Sequence, residues 1–264
     1  MLRCEGLQHH YAGFTLGPVD VTIDRGRLAV LVGPNASGKT TLLNLLAGLK
    51  SPSMGSICLD GVNLSNTGRR ERAGKLVALP QRPWAGEGMT VIELVRLGRL
   101  QLGRDDEAIE SALDQMGLLT HQSTPLGALS IGQRQRAHFA RVLAQAEPKS
   151  MLVLDEPTAP LDPVWAQRAW AVLREHVASG GGAVLAVHDI AIASAMADDA
   201  WMLHEGQVRC SGVASKVLAP DALCEAFGQR YEWAIRSDGS RWLVPAPCSE
   251  TSDAHLKRPG QSSE

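Results

Sequence analysis

Between Leu2 and Val32 apolar and polar residues alternate, with turn residues between them, as in "FTLGPVDVTIDRGRLAVLVG". A period of two puts one face of a strand on a core and the other in water. The segment therefore reads as short antiparallel strands leading into one buried strand, Leu28 to Val32. A helix is expected from Lys39 to about Leu49, a strand and turn in "SICLDG" (56–61), and a short strand in "KLVALPQ" (75–81) that Pro80 ends. From Arg82 to Pro148 the period changes: "TVIELVRLGRL", "DDEAIESALDQMGLL" and the run after Gly132 space their apolar residues as helices do. The strand pattern returns in "MLVLDEP" (151–157), followed by a helix over Val164 to about Ser179 and a second buried strand in "AVLAVHD" (183–189). A helix over Ile190–Ala197 and a hairpin in "AWMLHEGQVRCSG" (200–212) complete this part. Apolar strands separated by helices specify an α/β fold with a mostly parallel sheet covered on both faces. Beyond Val213 the pattern predicts a short helix around Leu223–Phe227 and two strands, "YEWAI" and "RWLVP". Residues 248–264 are polar with Pro and Gly and read as a disordered tail. No internal repeat is visible.

Composition narrows the function classes. With 264 residues, 44% of them hydrophobic, the chain can build a core for one large domain or for two lobes that share one. The formal net charge of -2 supplies no basic field, and aromatics at 4% supply no base-stacking platform, which argues against nucleic acid as a main partner. Cys4, Cys58, Cys210, Cys224 and Cys248 are odd in number and never in a C-x-x-C pair, so they read as reduced thiols in a cytosolic protein. No signal-peptide core opens the chain, and no apolar run approaches the ~18–20 residues that span a bilayer. Any membrane role would run through another chain.

The chemistry is concentrated at strand ends. "GPNASGKT" fits G-x-x-x-x-G-K-[ST] with Gly33, Gly38, Lys39 and Thr40, and it sits between a predicted strand and a predicted helix. Gly33, Pro34, Asn35, Ala36, Ser37 and Gly38 can turn their backbone toward phosphate oxygens, with the helix N-terminus at Lys39–Thr41 adding partial positive charge. Lys39 suits the β/γ-phosphates and Thr40 a Mg²⁺ ion. "MLVLDEP" ends a buried strand with two carboxylates at the sheet edge where open α/β folds bind ligands. Asp155 suits the shell of the ion, and Glu156 suits polarising an attacking water. His188 stands just past "AVLAV", where it either reaches a γ-phosphate or serves structure. Gln81 after "VALP" is either a solvated strand end or a ligand to Mg²⁺ or water. Tyr11 in "HHYAG" offers adenine a stacking face or packs beside its turn. "ALSIGQRQRAHFARVLAQ" (128–145) has the makings of a second anion site: Ser130, the Gly132 N–H and a helix N-terminus.

Taken in order, these residues resemble the nucleotide-binding subunits of the ATP-binding cassette family. The resemblance covers roughly residues 1–215: Tyr11, the phosphate loop 33–40, Gln81, the signature "LSIGQ" (129–133), the acidic strand 151–156, the "PLD" loop 160–162 and His188. It implies a P-loop, RecA-like core (1–82 and 149–215) with an antiparallel β subdomain. An inserted helical subdomain (83–148) and a C-terminal extension (216–247) would complete one ATPase domain, 1–247. It also implies ATP and Mg²⁺ as ligands, and two subunits packed head to tail. Ser130, Gly132 and Gln133 of one subunit would then close on the phosphates held by the other, with Asp162 at the same interface. Two departures are visible. Ile131 stands where glycine is commonest; a β-branched residue resists positive φ, so either an ordinary backbone or a slight distortion is expected there. "APLD" replaces the usual "SALD", which removes a hydroxyl at Ala159 and stiffens the turn at Pro160.

The resemblance further implies a peripheral ATPase on the cytoplasmic face of the inner membrane, working on a separate integral permease. Trp84 and Met89, in "RPWAGEGMTVIELVRLGRL", are either exposed anchors for that permease or core residues of the helical lobe. "LVALPQ…TVIELVRLGR" and "GVASKVLAPDALCEAFG" are similar to ATPases of importers for iron–siderophore, haem and cobalamin complexes, which a periplasmic or lipoprotein binding protein supplies. An ATPase for another solute, an exporter ATPase and a soluble cassette are the alternatives. The absence of a heptad run and the single ATPase unit disfavour the last.

Overall fold

The computed structural model describes residues 1–235, 237, 239 and 241–246. The expected tail, 248–264, lies outside them. Strands β1 (Leu2–Tyr11) and β2 (Phe14–Ile23) form a hairpin, and β3 (Leu28–Val32) follows, buried along its whole length. Helix α1 (Lys39–Leu46) leaves the end of β3. Strands β4 (Met54–Leu59) and β5 (Val62–Asn63) return to the hairpin, giving an antiparallel sheet in the order β2-β1-β4-β5. A single turn, α2 (Arg69–Arg72), leads to β6 (Leu76–Leu79). Helices α3 (Val91–Gly98), α4 (Asp106–Gln115) and α5 (Ile131–Gln145) follow with no strand between them. Then β7 (Met151–Asp155), α6 (Pro163–Ala178), β8 (Gly182–Ala186) and α7 (Ile190–Met196) alternate, and β9 (Asp199–His204) pairs with β10 (Gln207–Val213). Two short helices, α8 (Ala214–Val217) and α9 (Pro220–Phe227), precede a small hairpin of β11 (Tyr231–Ile235) and β12 (Arg241–Pro245).

The main sheet runs β10-β9-β3-β8-β7-β6, parallel from β9 to β6 and antiparallel only at β10. Its central strands β3, β8 and β7 are apolar, save for Asp155 at the end of β7, because both faces are covered. Alternate residues enter two different cores, as the pleat requires. Leu28, Val30, Val32, Leu152, Leu154 and Leu185 share one core with Val91, Leu94, Phe139 and Val142 of the helical lobe. Ala29, Leu31, Met151, Val153 and Val184 share the other with Leu2, Leu7, Leu42 and Leu45 of the antiparallel sheet and α1. The helical lobe is thus packed as an extension of one sheet face.

Helix boundaries follow local chemistry. Thr90 and Glu93 form a capping box at α3, and Ser130 and Gln133 form another at α5. Asp162 caps α6 by accepting from the Trp165 N–H at 3.0 Å, so the helix opens at Pro163, one residue before the expected start. The first helix stops at Leu46, short of the expected Leu49, because Gly48 turns left-handed at φ 65° and its N–H returns to the Leu45 carbonyl. The turn α8 was not legible in the pattern.

Candidate nucleotide site

The phosphate loop is assembled by the strand that precedes it. At the end of β3 the missing side chain of Gly33 lets the backbone lie against the Leu203 carbonyl, and Gly38 at φ 105° lies under the Phe14 ring. Lys39 is buried and folds back over its own loop, its Nζ donating to the carbonyls of Gly33 (2.8 Å) and Pro34 (3.0 Å). Burial lowers the Lys39 pKa, while Glu156 and Asp155 oppose that shift. The Ser37 hydroxyl is buried without a hydrogen-bond partner among the described residues. The loop opens on a cavity of about 290 Å³ bounded by Asn35, Ala36, Ser37, Gly38, Lys39, Thr40 and Thr41, with Phe14, Gln81 and Glu156 completing its walls.

Strand order brings Glu156 to this cavity and Asp155 beside Thr40 at its edge. Because β8 lies between β3 and β7, the ends of all three strands stand side by side. Asp155 at the end of β7 is 4% exposed, and among the described residues its carboxylate makes no well-formed hydrogen bond, only a loose one with the Thr40 side chain. Burial raises its pKa; Thr40 opposes, Glu156 adds to the rise, and Lys39 and His188 oppose it. Glu156 leaves the strand at φ 51°, a left-handed conformation that costs a non-glycine residue energy and often marks a working site. Its N–H donates to the Ala186 carbonyl at 3.2 Å, and its Oε1 lies 2.6 Å from His188 Nε2.

A hard divalent ion fits this donor set. The loosely held oxygens of Asp155 are the kind of ligand that Mg²⁺ takes, and Thr40 and Gln81 add neutral oxygens nearby. Among the described residues no group of three or more His, Cys, Asp or Glu is placed to hold an ion, so a nucleotide's own oxygens would supply the remaining ligands.

The other expected residues lie elsewhere. Tyr11 is at the far end of β1; its hydroxyl accepts from Lys50 Nζ at 2.7 Å, and the same ammonium lies 4.8 Å from its ring centroid. Lys50 and Thr41 draw its pKa down. Phe14, its partner across the hairpin turn, borders the cavity instead. Ser130, Gly132 and Gln133 open α5 outside that cavity, and Asp162 is engaged as a helix cap. Ile131 is the first helical residue of α5, 77% exposed and with no positive φ, so of the two expectations the ordinary backbone holds. Of the two readings left open for this pair, Trp84 takes the exposed one at 89%, while Met89 is partly buried and packed against the helical lobe's core.

Sequence reasoning also missed a second cavity. It measures about 820 Å³ and runs from Glu156 and His188 along Trp170, Ile192 and Met196 to Trp242 of β12. Only the pairing of the last two strands with α7 brings Trp242 there, and the periodicity carried no sign of it.

A glycine-rich loop between a buried parallel strand and a helix, with an Asp–Glu strand end and a histidine facing it, defines a P-loop nucleoside triphosphatase. Within that class the chain belongs to the ABC transporter family, whose model matches residues 16–159. It is an ATP-binding, ATP-hydrolysing cassette. It is 37% identical over 237 residues to the hemin import ATP-binding protein HmuV of Pseudomonas entomophila, covering 86% of this chain and 92% of that one. With HmuV of Myxococcus xanthus it shares 39% over 232 residues, covering 83% and 86%. Among solved structures, the ATP binding subunit of an ABC transporter superposes with a TM-score of 0.74 at 26% identity, covering 86% of this chain and 93% of that one. A transporter described as of metal-chelate type, in an inward-facing conformation, superposes at 0.78 and 22% identity, covering 93% and 97%.

Proposed function

We propose that the chain drives an importer of haem or a related metal chelate, acting as a pair of identical or sister subunits beneath a separate permease on the cytoplasmic side of the membrane. A periplasmic or lipoprotein binding protein would deliver the cargo. The observation that carries this reading is the likeness to hemin import ATP-binding proteins along more than four fifths of the chain. No helix among the described residues is long and apolar enough to cross a membrane, which agrees with a motor that needs a partner to do so.

In this reading Lys39 exchanges the Gly33 and Pro34 carbonyls for the β/γ-phosphate oxygens of ATP, and the N–H groups of the loop share the remaining charge. Asp155, Thr40 and Gln81 would hold Mg²⁺, which when bound offsets negative charge on the phosphates. Glu156 aligns the attacking water and accepts its proton. His188, already 2.6 Å from Glu156, holds that carboxylate in place and faces the γ-phosphate. Tyr11 or Phe14 covers the adenine. Ser130, Gly132 and Gln133 stand apart from their own chain's phosphate cavity, so their anion site would serve the ATP of the second subunit, with Asp162 beside it.

Uptake of labelled haem by a host lacking this gene, complemented with wild type or Lys39→Ala, tests the reading. Wild type should restore accumulation and Lys39→Ala should not. Unchanged haem uptake in the deleted strain, with loss of a siderophore or cobalamin instead, would move the cargo within the chelates. No change in any chelate would end the importer reading.

A further inference from the structure

The first two turns of α5 are tied to segment 157–165 of the same chain, the loop before α6 and its first turn, at three points on one helix face. Gly132 lies against Pro160, where a side chain would meet the carbonyl oxygen at 3.3 Å. Gln135 Nε2 donates to the Pro157 carbonyl at 2.9 Å. The Arg136 guanidinium lies over the Trp165 ring, 3.9 Å from its centroid. Positions 132, 135 and 136 are spaced i, i+3, i+4 and so share a face.

The third tie is the best defended. Arg136 is 8% exposed, and its Nη1 also donates to the Met116 carbonyl at the end of α4, 2.7 Å away. Gly117 follows at φ 61°, and any side chain there would strike the Trp165 ring. Helices α4, α5 and α6 therefore meet on one indole. A buried guanidinium demands partners, and the ring face and the Met116 carbonyl supply them. Neither Arg136 nor Trp165 borders the phosphate cavity.

We propose that Arg136 and Trp165 are positioning residues for ATP hydrolysis: their stack locks the Ser130 end of α5 to the first turn of α6 and the loop before it, so that both meet the second subunit as one block. This rests on the reading that Ser130 and Gly132 act on a phosphate held by the partner. If the stack is opened, Ser130 can drift relative to Asp162 while the subunit's own phosphate loop stays intact. Nucleotide binding and turnover should then separate.

The test compares full-length wild type, Trp165→Ala, Trp165→Phe and Ser130→Arg. Binding of a fluorescent ATP analogue by the isolated subunit should change less than about twofold in Trp165→Ala. Its kcat should fall roughly tenfold with KM little changed, the size expected when one desolvated cation–π contact no longer steadies the reactive geometry. Trp165→Phe keeps an aromatic face for the guanidinium and should recover most of the rate. Should Trp165→Ala fail to fold, Arg136→Met, which keeps the buried stem and removes the cation, carries the same comparison. Wild-type kcat in Trp165→Ala, or no recovery in a folded Trp165→Phe, overturns the clamp. Normal turnover in Ser130→Arg overturns the underlying signature reading instead, and an inactive Ser130→Arg beside a fully active Trp165→Ala overturns the clamp alone.

Discussion

Asp155→Asn should make the nucleotide-free protein more stable and the nucleotide-bound protein less so. Asp155 is 4% exposed, and among the described residues its carboxylate has only a loose interaction with the Thr40 side chain, so the apo fold carries an acceptor pair less well satisfied than water would leave it. A buried polar group left unsatisfied costs about 1–3 kcal/mol. An amide of the same size brings its own smaller desolvation cost, so the net gain should be about 1–2 kcal/mol. For a chain of this length that is a rise of roughly 2–8 °C in melting temperature. With Mg-ATP the sign reverses. A ligand at a hundred times its Kd stabilises the native state by about 2.7 kcal/mol, and the Mg²⁺-dependent part of that increment should be lost with the carboxylate. Thermal melts of both proteins in EDTA, in ATP with EDTA, and in Mg-ATP separate the two effects. A variant that melts below wild type in EDTA, or gains the full increment from Mg-ATP, refutes the argument that Asp155 is a strained apo residue kept for the ion.

Glu156→Gln retains the volume and the contact to His188 but removes the base; hydrolysis should fall about 10²–10⁴-fold with ATP binding preserved, and size-exclusion chromatography with Mg-ATP should show a trapped dimer. Turnover near wild type would remove Glu156 from the mechanism. Mixing Lys39→Ala with Ser130→Arg chains should restore part of the ATPase activity, because one intact site is rebuilt across the heterodimer; no recovery in isolated heterodimers would argue for sites within one chain. Trp84→Ala should leave the melting temperature of the subunit unchanged, since the ring is 89% exposed, yet weaken co-purification with a permease by about 2 kcal/mol, the scale of an interface hot spot. Equal recovery of the permease would place the docking face elsewhere. His138 is buried between Arg134 and Arg141, and desolvation with those two charges lowers its pKa from 6.5 to about 4. The unfolded chain therefore binds more protons between those values, and stability should drop as pH falls from about 6.5 toward 4. His138→Gln should flatten that slope in denaturant titrations; an unchanged slope would assign the acid lability to other groups.

Local pattern carried much of the architecture. Strands buried on both faces have no polar position to lose, so "LAVLV", "MLVLD" and "AVLA" were legible as core strands, and the change of period at Arg82 marked the helical lobe. The phosphate loop and the Asp155–Glu156 end were legible because their chemistry is contiguous in the chain. Strand order was not, since hydrophobic periodicity is blind to which strand lies beside which. That order alone sets Glu156 2.6 Å from His188, thirty-two residues on.

Alone, then, the sequence determined the class of protein and the glycine-rich loop with its Lys39 and Thr40, because those depend on side-chain types at fixed short spacings. Tertiary structure decided the rest. Tyr11 and Phe14 are nearly adjacent in sequence, yet only the seating of their hairpin against α1 puts Phe14 at the cavity and leaves Tyr11 under Lys50. Trp84 and Met89 read alike until packing drew Met89 into the helical core and left Trp84 in water. The meeting of Arg136 with Trp165 has no trace in either segment, because a contact between distant parts of a chain is set by how whole elements pack, and that depends on every buried residue between them.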